Sequence, residues 1–328
     1  MQFVSRTFIF LIIFSCVCNA NDCSNPSKVL TVGKIGRGKF RTIQRAINTI
    51  PIDNTRWIHI RIDAGNYTEK VIIPIDKPCV CLEGAGSSST NVLWSDHDQT
   101  TESFTFESNA PNVIVKGIKF ENSYNHPPGQ DDDDKILPAL AGAVRGDKTA
   151  IYDCVFKGVQ DTLMDDTGRH YYHNCYIQGQ TDFIFGKGQS IYQNCTIYFK
   201  SGDGRNGFIA AQKRESIKET SGYVFNGCVV DGIGQTMLGR AYGPYSRVII
   251  ANSYLSSVVD PVGWNAWHQS DVEKITFVEE ENKGPGANKS KRVSWMKNMT
   301  KEELHKFLDL SYIDHEGWLN NRPSSLNS

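Results

Sequence analysis

Two aspartates carry the chemistry that the residue types of this chain suggest. Asp161 and Asp182 lie 21 residues apart, and each stands seven residues after a cysteine, Cys154 and Cys175. If the chain winds in coils of that length, residues in phase stack at the inter-strand distance, roughly 4.8 Å. Two carboxyl groups that close cannot both ionise freely. Their pKa values split, and one holds a proton near neutrality. Such a pair supplies an acid and a nucleophile at one place. Surface aspartates also fall in phase by chance, so the spacing needs a scaffold to support it. His170 and His173, between the two acids, read as surface residues of a coil turn.

The scaffold is visible as a repeat. Ile151-Tyr152-Asp153-Cys154-Val155-Phe156 resembles Tyr172-His173-Asn174-Cys175-Tyr176-Ile177 and Tyr192-Gln193-Asn194-Cys195-Thr196-Ile197. A fourth copy is Phe225-Asn226-Gly227-Cys228-Val229-Val230. The cysteines fall 21, 20 and 33 residues apart, the last gap holding what reads as an insertion at 201–222. A period near 20 with β-branched and aromatic residues and no helical segment inside predicts coils of a parallel β-solenoid. A leucine-rich repeat needs several leucines per unit, and a β-sandwich gives no reason for cysteines in phase. Short alternating runs such as Ile58, Ile60 and Ile62 predict strands before the repeat. Apolar residues at 40, 43, 46, 47 and 50, stopped by Pro51, predict a short N-terminal cap helix. Thr300-Lys301-Glu302-Glu303 is a capping-box pattern that opens a C-terminal helical segment. The class expected is all-β, with helix only at the ends.

Composition sets the compartment and the partners. The 328 residues are 39% hydrophobic and 22% charged, a globular balance with a formal charge of −1. There is no basic excess to neutralise a phosphate backbone, so nucleic acid is not an expected partner. Arg6, the run Thr7–Phe14 and Cys18-Asn19-Ala20 read as a secretory signal over 1–20, leaving one domain over 21–328. No stretch is long enough to span a membrane. Seven of nine cysteines remain after residue 20, an odd number that leaves at least one thiol free or paired with another molecule. Cys79-Val80-Cys81 is too tightly spaced for a zinc clip, and no metal or other cofactor is expected. Asn66, Asn194, Asn288 and Asn298 head sequons and are the glycosylation candidates.

Gly65-Asn66-Tyr67-Thr68-Glu69, Gln160-Asp161-Thr162-Leu163, Asp182-Phe183-Ile184-Phe185-Gly186 and Leu238-Gly239-Arg240 stand in the order of the signature blocks that the plant pectin methylesterases carry, and the sequence resembles that family over nearly all of residues 21–328. Gly263-Trp264-Asn265-Ala266-Trp267 and Val293-Ser294-Trp295 agree as well. An inhibitor pro-region, which many plant members carry, is not expected here. The resemblance implies a right-handed parallel β-helix that hydrolyses methyl esters of homogalacturonan. In that reading Asp182 is the nucleophile, Asp161 the acid and then the base, Gln160 an oxyanion donor, and Arg240 the guanidinium that keeps Asp182 ionised. Each role has a physical reason. A carboxylate is a weak nucleophile unless held ionised, a poor leaving group needs a proton, and an oxyanion needs a neutral donor. Phe185, Tyr242 and Trp264 are the aromatic candidates for a sugar platform, with Thr105 as a further substrate contact. Tyr67 and Glu69 read as structural. Cys195 and Cys228 match a family disulfide, while Cys154 is left free or bonded to Cys175. A monomer is expected, acting in the cell wall, with a proteinaceous inhibitor as the second partner implied.

The sequence departs from the family at two places. Pro138 replaces a second oxyanion-holding glutamine, and proline has no donor to offer. Tyr242 stands where many members have tryptophan. Reduced activity is therefore expected. The alternatives are a pectin-binding wall protein with a weakened site and a β-helical glycosidase, which also uses two carboxyl groups. A calcium-dependent lyase would need a larger acid cluster than this pair. The run Asp131–Asp134 reads as a solvated loop that, beside a cleft, would favour less charged, more esterified pectin.

Overall fold

A computed structural model describes residues 23–326 apart from 34–37, 98, 126–135, 202, 203 and 205. The expected signal segment and the acidic run at 131–134 lie outside the described residues. The described chain is a right-handed parallel β-helix, built as three parallel sheets of ten, eight and eight strands wound in coils. Every strand pair joins residues one coil apart, as in Tyr172 beside Tyr192 beside Phe225.

The repeat has a local cause. Asp153, Asn174, Asn194 and Gly227, each just before a repeat cysteine, turn the corner between the ten-stranded sheet and a neighbouring sheet at φ of 53°, 54°, 54° and 65°. Asp, Asn and Gly tolerate that left-handed conformation where β-branched residues do not. The corner residues also bond along the column, Asn174 Nδ2 donating to Asp153 Oδ1 at 2.7 Å. Inside, side chains stack in files: Phe106 on Phe120 at 4.5 Å, Phe120 on Phe156 at 5.6 Å, and Tyr172 on Tyr192 at 4.5 Å.

The cysteine file corrects one expectation. Cys154, Cys175, Cys195 and Cys228 are all buried free thiols, so neither Cys195–Cys228 nor Cys154–Cys175 is a disulfide. Each sulfur past the first faces a backbone carbonyl of a preceding coil, Cys195 toward Tyr172 O at 3.6 Å and Cys228 toward Tyr192 O at 3.2 Å. Among the described residues the disulfide is Cys23–Cys79, with Cα atoms 5.6 Å apart, and it ties the first strand to the second coil.

The ends also differ in detail from the sequence reading. A strand, Ser24–Val32, precedes the cap helix and opens the ten-stranded sheet. The helix itself is only Ile43–Asn48, and it buries Ile43, Ala46 and Ile47. Glu69 caps it, accepting from Ile43 N and Gln44 N at 2.9 Å each, and Tyr67 is buried, so both residues are structural. The region read as an insertion contains a regular strand, Gly207–Gln212, paired on both sides within one eight-stranded sheet. At the C-terminus the helix Lys301–Leu308 carries its capping box, and Leu304, Ile313, Trp318 and Leu319 cover the outer face of the ten-stranded sheet. Among the described residues no helix is long and apolar enough to cross a membrane.

Candidate active site

The groove is built on the outer face of the eight-stranded sheet that contains strands Leu163–Asp165, Thr181–Gly186, Gly207–Gln212 and Thr236–Ala241. Pairing runs Met164 to Phe185, Phe185 to Ala211, and Ala211 to Arg240, which places these four in one file. All four line a groove of about 490 Å³, with Thr100, Thr101, Pro138, Gln160, Asp161, Asp166, Asp182, Gly186, Lys213 and Tyr242. The neighbouring file, Leu163, Ile184, Ala210, Gly239 and Trp264, is buried in the interior.

The two acids enter the groove just before these strands. Gln160 pairs with Thr181 and Leu163 with Ile184, both across 21 residues, so Asp161 stacks beside Asp182 by register. Both have left-handed backbone, with φ of 59° and 48°. That conformation costs a non-glycine residue roughly 1–3 kcal/mol and collects at functional sites. It turns each carboxyl out of the strand and toward the groove, where the residues are 8% and 7% exposed.

Arg240 fixes Asp182. Its Nε donates to Asp182 Oδ1 at 2.7 Å and its Nη2 donates to Oδ2, a bidentate fork. The guanidinium packs against two rings set edge to face, 3.8 Å from the centre of Trp267 and 4.7 Å from that of Phe208. Ring faces attract the cation and exclude water from the pair. Asp161 has no such cation on it. Burial first, and then the charge of Asp182, push its carboxyl up to about 7. Burial raises Asp182 too, but the Arg240 fork works against that rise. The pair is thus asymmetric, one acid proton-bearing near neutrality and the other held by a cation. Gln160 lies at the groove, and its amide makes no hydrogen bond to another described residue.

Several candidates sit elsewhere. Trp264 is 1% exposed, in the inward file, its indole donating to Glu279 Oε1 at 2.8 Å. It is core, and the exposed ring of that block is Trp267, 42% exposed. Thr105 is fully buried, and its hydroxyl donates to Glu121 O at 3.0 Å, as that of Thr162 does to Gln178 O. It lies within the strand Phe104–Ser108, buried in the interior, and does not line the groove. Phe185 and Tyr242 do line it. His170 is fully buried, its Nδ1 bonded to Asp165 Oδ1 and its Nε2 to Gly146 O, so it is not a surface residue. The sequon residues Asn66, Asn194, Asn288 and Asn298 are all exposed. Sequence reasoning missed Phe208, Trp267 and Thr100. For Trp267 the signal was present, since two tryptophans three apart cannot both point inward from one strand end.

The comparisons with known proteins come to the same place. The family described as pectinesterase matches residues 29–316. Probable pectinesterase 55 of Arabidopsis thaliana is 43% identical over 323 residues, covering 97% of this chain and 98% of the relative. Probable pectinesterase 29 of the same plant is 43% identical over 328 residues, with 97% and 98% covered. Among solved structures, a pectin methylesterase from carrot superposes with a TM-score of 0.83 at 27% identity, over 91% of this chain and 97% of that one. Relatives matched along nearly their whole length, together with the β-helix, establish that the chain belongs to the pectinesterase family.

Proposed function

We propose that the chain is a secreted enzyme of the plant cell wall that removes methyl esters from homogalacturonan, with Asp182 as nucleophile and Asp161 as acid and then base. The observation that supports this most is the asymmetric acid pair, one carboxylate forked by Arg240 beside one carboxyl pushed to about 7. Asp182 attacks the ester carbonyl carbon, and the carbonyl oxygen becomes an oxyanion beside the Gln160 amide. Asp161 passes its proton to the methoxy oxygen, the carbon–oxygen bond breaks, and methanol leaves an anhydride between Asp182 and the sugar carboxyl. Asp161, now a carboxylate, takes a proton from water. The hydroxide adds to the anhydride, and Asp182 departs as carboxylate. Tyr242 and Phe185 offer ring faces to the sugars, with Trp267 beside the Arg240 fork. Methanol release from methylated pectin, with no new reducing ends, is the test. New reducing ends would replace this reading with a glycosidase. Because the resting enzyme must hold the Asp161 proton, kcat/KM is expected to fall as pH rises through about 7.

A second reading, a pectin-binding wall protein, is favoured by one observation. Pro138 lines the groove where a second donor would serve the oxyanion. Binding of methylated oligogalacturonide without methanol release would support it. Under the enzyme reading, Pro138→Gln is expected to raise kcat by about a hundredfold, the lower end of what a single oxyanion donor supplies. Steady-state methanol kinetics measure this, and an unchanged kcat would show that residue 138 does not reach the oxyanion.

A further inference from the structure

Trp267 holds an uncommon backbone beside the acid pair. It follows the strand Trp264–Asn265, the edge of the groove sheet, which pairs Gly239 with Trp264 and Arg240 with Asn265. Trp264 is anchored in the core through Glu279, so the segment leaves from a fixed point. Asn265 Oδ1 then accepts from Trp267 N at 2.6 Å, and Trp267 has φ 55°. A bulky residue rarely takes left-handed backbone, and such outliers collect at functional sites. The exposed side chain placed this way brings its ring centre to 3.8 Å from the Arg240 guanidinium. Phe208 meets that ring edge to face at 6.3 Å, and His268 meets it at 4.6 Å. Gln269 Nε2 donates to Ala241 O and Tyr242 O at 3.4 Å each, tying the turn to the residues after Arg240.

An arginine side chain is long and flexible, and a fork on a carboxylate is one of many positions its head can take. Asp182 serves as a nucleophile only while that fork is closed, because burial alone favours its neutral form. We infer that Trp267 is a positioning residue for Arg240, its left-handed turn laying the indole against the guanidinium and so holding both donors on Asp182. This role is separate from sugar contact, since it acts through the nucleophile. It rests on the reading of Asp182 as that nucleophile.

The test is methanol-release kinetics across pH for Trp267→Phe and Trp267→Leu. Phenylalanine keeps a ring for the cation, whereas leucine keeps only bulk. Leucine is expected to lower kcat about tenfold with KM within about threefold, in the range of a desolvated cation–ring contact. It should also move the ascending limb of the profile to higher pH, since a loosened fork leaves burial to raise the Asp182 carboxyl. Phenylalanine should hold the limb in place and restore most of kcat. Asn265→Ala keeps the ring but frees the turn, and it should move the limb as leucine does, even where the leucine variant fails to fold. The other charged or titratable groups at the site, Asp161, Asp166, Lys213 and His268, are present in every variant, and a cycle with Arg240→Lys separates their effect. With the fork already lost, Trp267→Leu should cost less than about twofold more. A rise in KM alone, an unmoved limb, or losses that multiply in the double variant overturn the proposal. Asp182→Asn is run beside them. Full activity there defeats the reading of Asp182 itself, whereas its loss beside an unchanged Trp267→Leu defeats only the role of Trp267.

Discussion

Asp182→Asn is expected to lower methanol release from methylated pectin by about 10⁴-fold or more, since an amide cannot form the anhydride that the reaction passes through. KM should change little, because the rings that meet the sugars remain in place. The substitution also leaves Arg240 without its counter-ion in a pocket where its side chain is only 11% exposed. A stability loss of about 1–3 kcal/mol is expected from that unpaired cation. The partner acid reports the change independently. Without the negative charge of Asp182 beside it, the Asp161 carboxyl should titrate lower than about 7, which carboxyl NMR resonances can follow. Retained turnover with an unmoved Asp161 would mean that the two groups do not act as a pair.

Asp161→Asn is expected to do two opposite things, abolishing turnover and stabilising the fold at neutral pH. The folded carboxyl titrates near 7, and the unfolded one near the ordinary aspartate value of about 3.9. Between those values the folded chain holds the extra proton, so stability falls as pH rises from about 4 to about 7. Above that window the ionised, buried group costs the fold on the order of 4 kcal/mol. Asparagine at 161 removes the cost and tolerates the left-handed backbone that Asp161 occupies at φ 59°. Denaturant midpoints at pH 4 and pH 8 measure it. The variant should gain several kcal/mol at pH 8 and almost nothing at pH 4. An equal difference at both values would show that Asp161 is not perturbed by burial and by Asp182. Such a trade of stability for a poised acid is the usual sign of a working site.

Much of this could be read from the chain, for reasons that lie in particular residues. The coil length was legible because left-handed corners admit few residue types, and Asp153, Asn174, Asn194 and Gly227 mark those corners just before cysteines. The stacked acids followed from the same phase. The Arg240 fork rested on resemblance, since nothing in its spacing from Asp182 names it. What failed was direction. Thr105 and Trp264 belong to the right segments, yet Trp264 lies in the inward file and every residue of the strand Phe104–Ser108 is buried, so the alternation on which such readings depend is lost there. The supposed Cys195–Cys228 bridge failed similarly. Stacked neighbours were in phase, but each remains a free thiol with its sulfur on a backbone carbonyl of a preceding coil. Thr100 left no trace at all, because the loop that carries it into the groove lining is held at Glu102 and Thr101 by Lys70 and Arg145 from distant segments.

The winding of the fold makes the acid pair depend on arithmetic. Asp161 meets Asp182 only because one full turn of the backbone consumes 21 residues at that level. Deleting a single amino acid from within one of the strands between them would turn the side chains beyond it to the opposite face, sending one carboxyl toward the interior while leaving the composition almost untouched. The longer path from Cys195 to Cys228 spends its surplus outside the strands, where extra length shifts no phase. Loops bordering the groove are thus free to lengthen or shorten between relatives, and the reaction centre is bound to a frame that tolerates substitution far better than it tolerates miscounting.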